Sequence, residues 1–68
     1  MIKEYSITTT FANGEQFEFV YKNYYEALKD YYLFVRSVRP VLCTLWQEDR
    51  DGISIIKEYR KENKKYAR

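Results

Sequence analysis

The sequence predicts an α+β fold, a two-layer ββαββ domain in which one helix packs on a four-stranded antiparallel sheet. Two runs with strand-like alternation come first, one run with a helical period follows, and two short apolar runs come last. With 68 residues, 46% of them hydrophobic, the chain has the composition of one small folded domain. We expect this domain over residues 1–60, followed by a basic C-terminal tail, frayed or marginally helical, over residues 61–68.

The first two strands are predicted to form a hairpin, because the runs on either side of Asn13-Gly14 both alternate apolar and polar residues. A two-residue loop would place Ile7 opposite Val20 and mix apolar and polar residues on one face. A three-residue loop, residues 12–14, with Gly14 left-handed, puts the apolar residues on one face by pairing Ile7 with Phe19, Thr9 with Phe17 and Tyr5 with Tyr21. We expect the opposite face to be solvated unless a partner covers it; it carries Glu4, Ser6, Thr8, Thr10, Glu18 and Lys22.

The helix is predicted to begin after Asn23, whose side chain can accept hydrogen bonds from the amides of the first turn. Glu26, three residues later, can reach back to the Asn23 amide and complete a capping box. Pro40 indicates that the helix ends near residues 36–38. The apolar stripe expected to face the sheet consists of Tyr24, Ala27, Leu28, Tyr31, Phe34, Val35 and Val38.

A second hairpin is predicted from residues 41–47 and 53–59, which flank a polar turn. A four-residue loop from Asp49 to Gly52 would place Trp46 opposite Ile55, and Leu45 opposite Ile56. A loop one residue longer or shorter fits almost as well. Because both faces of this hairpin carry apolar residues, we expect it either to be central in the sheet or to expose an apolar side.

Several chemistries are excluded by composition. The chain has no His and a single Cys43, which excludes an internal disulfide, a multi-cysteine zinc site and histidine-dependent catalytic triads. Cys43 lies in an apolar run, so we expect a buried and inert thiol. The acidic turn at residues 48–51 resembles a solvated turn more than a cation site. We therefore expect no enzyme, no cofactor, no metal and no small-molecule substrate.

The location of the protein is predicted to be cytoplasmic. The N-terminus has a strand pattern without an apolar signal core, and no stretch of about 18 apolar residues occurs, so we expect no membrane association. The size, the Tyr/Lys/Glu-rich composition and the hairpin-helix-hairpin order resemble those of small open reading frames of bacterial phages and mobile elements. This resemblance includes no motif and transfers no site residue.

One candidate surface is the outer side of the helix, where aromatic and cationic residues alternate at helical spacing. Tyr and Arg contribute strongly to protein interfaces, although the same pattern also fits local packing on a solvated face. We expect a small non-enzymatic protein-protein binding module that contacts a protein partner or a second copy of itself as a homodimer. Its predicted contact residues are Tyr25, Lys29, Tyr32, Leu33 and Arg36.

The alternative is an accessory nucleic-acid-binding protein that uses the basic C-terminal segment. Residues 57–68 contain six of the twelve basic residues and two of the ten acidic ones, so the segment carries a charge of +4 and the remainder −2. A solvated tail that keeps a small domain soluble is the other interpretation. The candidate nucleic-acid contacts are Lys57, Arg60, Lys61, Lys64, Lys65, Tyr66 and Arg68.

Overall fold

The fold is the predicted ββαββ arrangement, seen in a computed structural model that describes residues 3–61. Strands β1 (Glu4–Thr10) and β2 (Gln16–Tyr21) precede helix α1 (Tyr24–Leu33), and strands β3 (Leu42–Asp49) and β4 (Gly52–Arg60) follow it. All four strands form one antiparallel sheet in the order β2-β1-β3-β4. The first strand is therefore central and joins the two hairpins, which leaves β2 and β4 as the edges.

The first hairpin has the predicted register. Ile7 pairs with Phe19, and the flanking pairs are Thr9 with Phe17 and Tyr5 with Tyr21. The amide of Gly14 donates to the Phe11 carbonyl at 2.9 Å, and Gly14 has a φ of 93°. The three-residue loop is thus a tight turn followed by a residue with positive φ, a conformation that glycine adopts without strain from a Cβ.

Helix α1 begins as the sequence predicts, because Asn23 Oδ1 accepts hydrogen bonds from the amides of Tyr25 at 2.8 Å and Glu26 at 3.1 Å. Within residues 3–61, no side-chain bond from Glu26 to the Asn23 amide completes the capping box. The helix continues as a π-helical turn, Phe34–Val38, so that the helical segment ends where it was predicted. Arg39 then takes a left-handed conformation, φ 58° and ψ 58°, and its amide donates to the Phe34 carbonyl at 3.1 Å.

The second hairpin confirms one predicted pair and contradicts the other. Trp46 lies opposite Ile55, but Leu45 lies opposite Lys57 and not Ile56. The cause is a β-bulge: Ile56 is an extra residue in β4 and packs against the core. The loop is also shorter than predicted, since Asp49 and Gly52 already pair, and Asp49 Oδ1 closes the turn by accepting from the Asp51 amide at 2.9 Å.

The core lies between the helix and one face of the sheet, with α1 packed over β1, β2 and β3. Tyr24 on the helix packs against Tyr5 on β1, with ring centroids 5.6 Å apart. The buried side chains of the core are Tyr5, Ile7, Ala27, Tyr31, Cys43 and Leu45. Three apolar residues of the predicted core-facing sets remain partly in solvent. Val38, at the end of the π-helical segment, is 44% exposed. Phe17 and Phe19 are on the predicted face, and the Phe19 ring lies 5.2 Å from that of Phe34, but on an edge strand they are 47% and 42% exposed.

Candidate interaction surfaces

The sheet face opposite the helix, which we call the open face, carries a row of paired residues across all four strands. We call it the apolar row, because its members on β2, β3 and β4 are apolar and only its member on β1 is polar. Val20 on β2 pairs with Ser6 on β1, Ser6 pairs with Trp46 on β3, and Trp46 pairs with Ile55 on β4. Val20 is 61% exposed and Ile55 is 50% exposed. Since no described element covers this face, Val20, Trp46 and Ile55 are in contact with solvent, and Ser6 interrupts the row between Val20 and Trp46.

Glutamates border this apolar row on both sides. On one side Glu4 lies directly opposite Glu48, which in turn pairs with Ile53. On the other side, Glu18 and Glu58 lie at the two ends of the next row of paired residues. Successive rows on one face of a strand are about 7 Å apart, so the glutamates on the two sides are separated by about 14 Å. The open face thus combines an apolar centre with four carboxylates.

The indole of Trp46 has a defined orientation on this face. Its Nε1 donates a hydrogen bond of 2.9 Å to Thr8 Oγ1 on the neighbouring strand. Beside it lies a shallow depression of about 260 Å³ lined by Ser6, Thr8, Glu18, Trp46, Glu48 and Ile53. The aromatic ring, the apolar edge of Ile53 and two carboxylates therefore surround one cavity.

The helix residues predicted to bind a partner, Tyr25, Lys29, Tyr32, Leu33 and Arg36, are all exposed. Their aromatic rings, however, already make contacts within the chain. The Tyr32 ring lies 5.4 Å from that of Tyr31 and has Lys57 Nζ at 5.9 Å from its centroid, and the Tyr25 ring lies 5.3 Å from that of Tyr24. Local aromatic and cation-π packing thus accounts for part of this pattern.

The described residues of the basic segment do not form one surface. Lys57 lies on the helix side over Tyr32, whereas Arg60 lies on the open face and is paired with Glu58 at 3.2 Å. The amide of Lys61 donates to the Val41 carbonyl at 2.9 Å and extends the β3-β4 pairing by one residue. The other predicted contacts, Lys64, Lys65, Tyr66 and Arg68, lie outside the described residues.

A cleft with three cations lies where the π-helical turn meets the end of β4. Its volume is about 500 Å³, and it is lined by Val35, Arg36, Arg39, Tyr59 and Lys61. It combines Arg36 of the predicted helix surface and Lys61 of the predicted basic segment with Arg39, which the sequence interpretation did not select. The sequence held no signal for this role, because a following proline favours an extended backbone, whereas Arg39 is left-handed.

Titratable groups in the core have ordinary structural roles. Burial raises the pKa of the Cys43 thiol, which keeps it protonated near neutral pH and chemically inert. Burial and a 2.8 Å hydrogen bond from its hydroxyl to Asp30 raise the pKa of Tyr21. No group of three or more Cys, Asp or Glu side chains within residues 3–61 is placed to hold a metal ion.

Comparisons with known proteins add no assignment: no protein-family model, curated protein or solved structure matches the chain. Residues 3–61 contain no helix with the length and apolar character needed to cross a membrane. The surfaces themselves are therefore the basis for a functional proposal.

Proposed function

We propose that the protein is a small protein-protein binding module of the cytoplasm whose open face binds a basic and partly apolar segment of another protein. The observation that carries the proposal is the apolar row of Val20, Trp46 and Ile55 between two sets of glutamates. Antiparallel sheets commonly leave one face in water, but such faces are then mainly polar. An exposed apolar row with an oriented Trp is typical of a binding surface.

The charge of the open face favours a basic partner. Its four glutamates, Glu4, Glu18, Glu48 and Glu58, are opposed by Arg60, which is already paired with Glu58. Lys22, which the sequence predicted on this face, instead lines a depression with Tyr5 and Tyr24 at the start of the helix. Glu4 and Glu48 lie directly opposite each other, an arrangement that costs stability of about 0.2–1 kcal/mol in a sheet. Lys or Arg side chains of a partner would remove this repulsion, and an aliphatic residue between them would cover Trp46 and Ile55.

A second copy of the chain is a poorer fit to this face. In a twofold contact between two open faces, both surfaces would bring four glutamates, and like charges facing each other in an interface cost several kcal/mol. A homodimer through another surface, such as the exposed β4 edge, remains compatible with binding at the open face. Light scattering on the purified chain measures its mass in solution and so detects a homodimer independently of peptide binding.

The experiment is a selection of displayed random twelve-residue peptides on the immobilised 68-residue chain, followed by affinity measurement of the enriched sequences. We expect peptides that combine Lys or Arg with Trp, Leu or Ile, and we expect Glu48→Lys to weaken their binding at least about ten-fold, since charge-assisted contacts contribute about 1.5–3 kcal/mol. Glu48→Lys also removes the Glu4–Glu48 repulsion, so its melting temperature should stay equal or rise. Loss of binding will therefore not reflect loss of fold.

One variant provides a matched control, and a second tests the alternative binding surface. Glu15→Lys makes the same charge change in the first hairpin turn, away from the open face, and should alter affinity less than two-fold. Tyr32→Gln tests the helix surface in the same assay. Enriched peptides that depend on Tyr32 and not on Glu48 would place partner binding on the helix, and enrichment of acidic peptides or of none would contradict the proposal.

A further inference from the structure

The cleft beside the end of helix α1 concentrates positive charge that the proposed protein-binding function does not use. Arg36, Arg39 and Lys61 line it, with Val35 and Tyr59 as its apolar wall, and no Asp or Glu of residues 3–61 is among the lining residues. In the part of the chain that the structure describes, the one ion pair joins Arg60 and Glu58. The three cations are therefore not neutralised by a described carboxylate.

The backbone of Arg39 gives a second observation. A left-handed conformation with φ 58° is uncommon outside glycine and asparagine, and the position after a helix end is one where glycine is the usual residue. Arg at this position is less favourable for the fold than Gly or Asn. What Arg adds there is a guanidinium group that lines the cleft.

We propose that this cleft is a phosphate-binding site, with Arg36, Arg39 and Lys61 as its ligands. Two guanidinium groups can form paired hydrogen bonds with phosphate oxygens, and a Lys ammonium adds a point charge. A volume of about 500 Å³ falls within the range of about 300–1,000 Å³ that is usual for small-molecule sites. The phosphates belong either to a nucleic-acid strand, with Tyr59 beside the cleft as an aromatic surface for a base, or to a small phosphate compound.

The test is fluorescence anisotropy of the full 68-residue chain with a fluorescein-labelled twelve-nucleotide oligo(dT), at 50 and 200 mM NaCl. Three phosphate contacts to a single strand predict that the affinity falls about twenty-fold over this range, because each contact adds about 0.7 to the salt slope. Arg39→Asn removes the guanidinium with a residue that tolerates the left-handed backbone, so the melting temperature should be retained. We expect this variant and Lys61→Gln each to weaken binding at least about five-fold.

Arg50→Gln is the matched control, because it also removes one positive charge but lies in the β3-β4 turn, about 25 Å along the strands from the cleft. It should weaken binding less than two-fold. Equal losses in Arg39→Asn and Arg50→Gln would show non-specific attraction and overturn the site, as would absence of binding by the wild-type chain at 50 mM salt. Pyrophosphate serves as competitor: displacement at concentrations similar to those of unlabelled oligonucleotide assigns the site to small phosphate compounds, whereas displacement only by the oligonucleotide assigns it to nucleic acid.

Discussion

Thr9 provides a direct test of how much a buried polar group lowers the stability of this fold. Thr9 is 2% exposed and lies on the helix side of the sheet near the end of β1, between Phe17 and Cys43 on the neighbouring strands. Within residues 3–61 its buried Oγ1 has no hydrogen bond of standard geometry, although it lies close enough to the Cys43 thiol to lower the pKa of that thiol in part against the effect of burial. We take Oγ1 as unpaired, since a thiol is a weak donor and acceptor. A buried hydroxyl that makes no hydrogen bond costs about 1–3 kcal/mol, so Thr9→Val should stabilise the protein.

The neighbouring residue provides the opposite case with the same chemical change. Thr8 lies on the open face, and its Oγ1 accepts the 2.9 Å hydrogen bond from Trp46 Nε1. Thr8→Val removes this acceptor and leaves the half-buried indole N–H of Trp46 without a hydrogen-bond partner. The free energy of unfolding should fall by about 0.5–1.5 kcal/mol. Two identical substitutions in adjacent residues are thus expected to change the free energy of unfolding in opposite directions.

Thermal unfolding followed by circular dichroism measures both variants. For a domain of this size, 1 kcal/mol shifts the melting temperature by about 4–8 °C, so a gain of about 1–2 kcal/mol predicts a rise of about 5–15 °C for Thr9→Val. Thr8→Val should melt several degrees below the wild type. A melting temperature for Thr9→Val equal to or below that of the wild type would refute the reasoning, because it would mean that Thr9 Oγ1 bonds to the Cys43 thiol across the strand pair.

Three further predictions concern the cap, the core and the response to alkaline pH. Asn23→Ala should lower the free energy of unfolding by about 1 kcal/mol in urea titrations, and Asn23→Ser should restore most of it. Leu45→Ala should cost about 2–5 kcal/mol, enough to leave much of so small a domain unfolded at 25 °C in the circular dichroism spectrum. The folded state raises the pKa of Tyr21 above its ordinary 10.0. The stability that Tyr21 contributes should therefore be fully present below pH 10.0 and decline as the pH rises beyond it. Tyr21→Phe should reduce the difference between the urea midpoints at pH 8 and pH 11.

The first hairpin and the helix could be predicted from the sequence because local signals determine them. Asn13-Gly14 restricts the turn, and only the register that pairs Ile7 with Phe19 places the apolar residues on one face. Asn23 marks the start of the helix in the same local way. The strand order could not be predicted, since the pairing of β1 with β3 joins residues about 40 positions apart with no turn to select it.

The open face was predicted only in its polar half. The expectation of a solvated face with Glu4, Thr8 and Glu18 followed from the alternation of the first hairpin. The contribution of Trp46 and Ile55 depends on the long-range pairing of β1 with β3 and on the register of the second hairpin, where several loop lengths fitted the apolar pattern almost equally well. Sequence alternation alone therefore showed that the second hairpin had two apolar sides, without showing which residues would remain exposed.

The bulge at Ile56 links the two proposed binding surfaces. In a regular strand every second residue faces the same side, so Ile55 and Tyr59 would share one face of β4. Instead, Ile55 pairs with Trp46 on the open face, whereas Tyr59 pairs with Cys43 on the helix side. The extra residue thus leaves Ile55 in the apolar row and turns Tyr59 toward the core and the cleft. Because one inserted residue separates the open face from the cleft along β4, a change that alters this register will affect both surfaces together. Glu48→Lys should affect only the open face, and Arg39→Asn only the cleft.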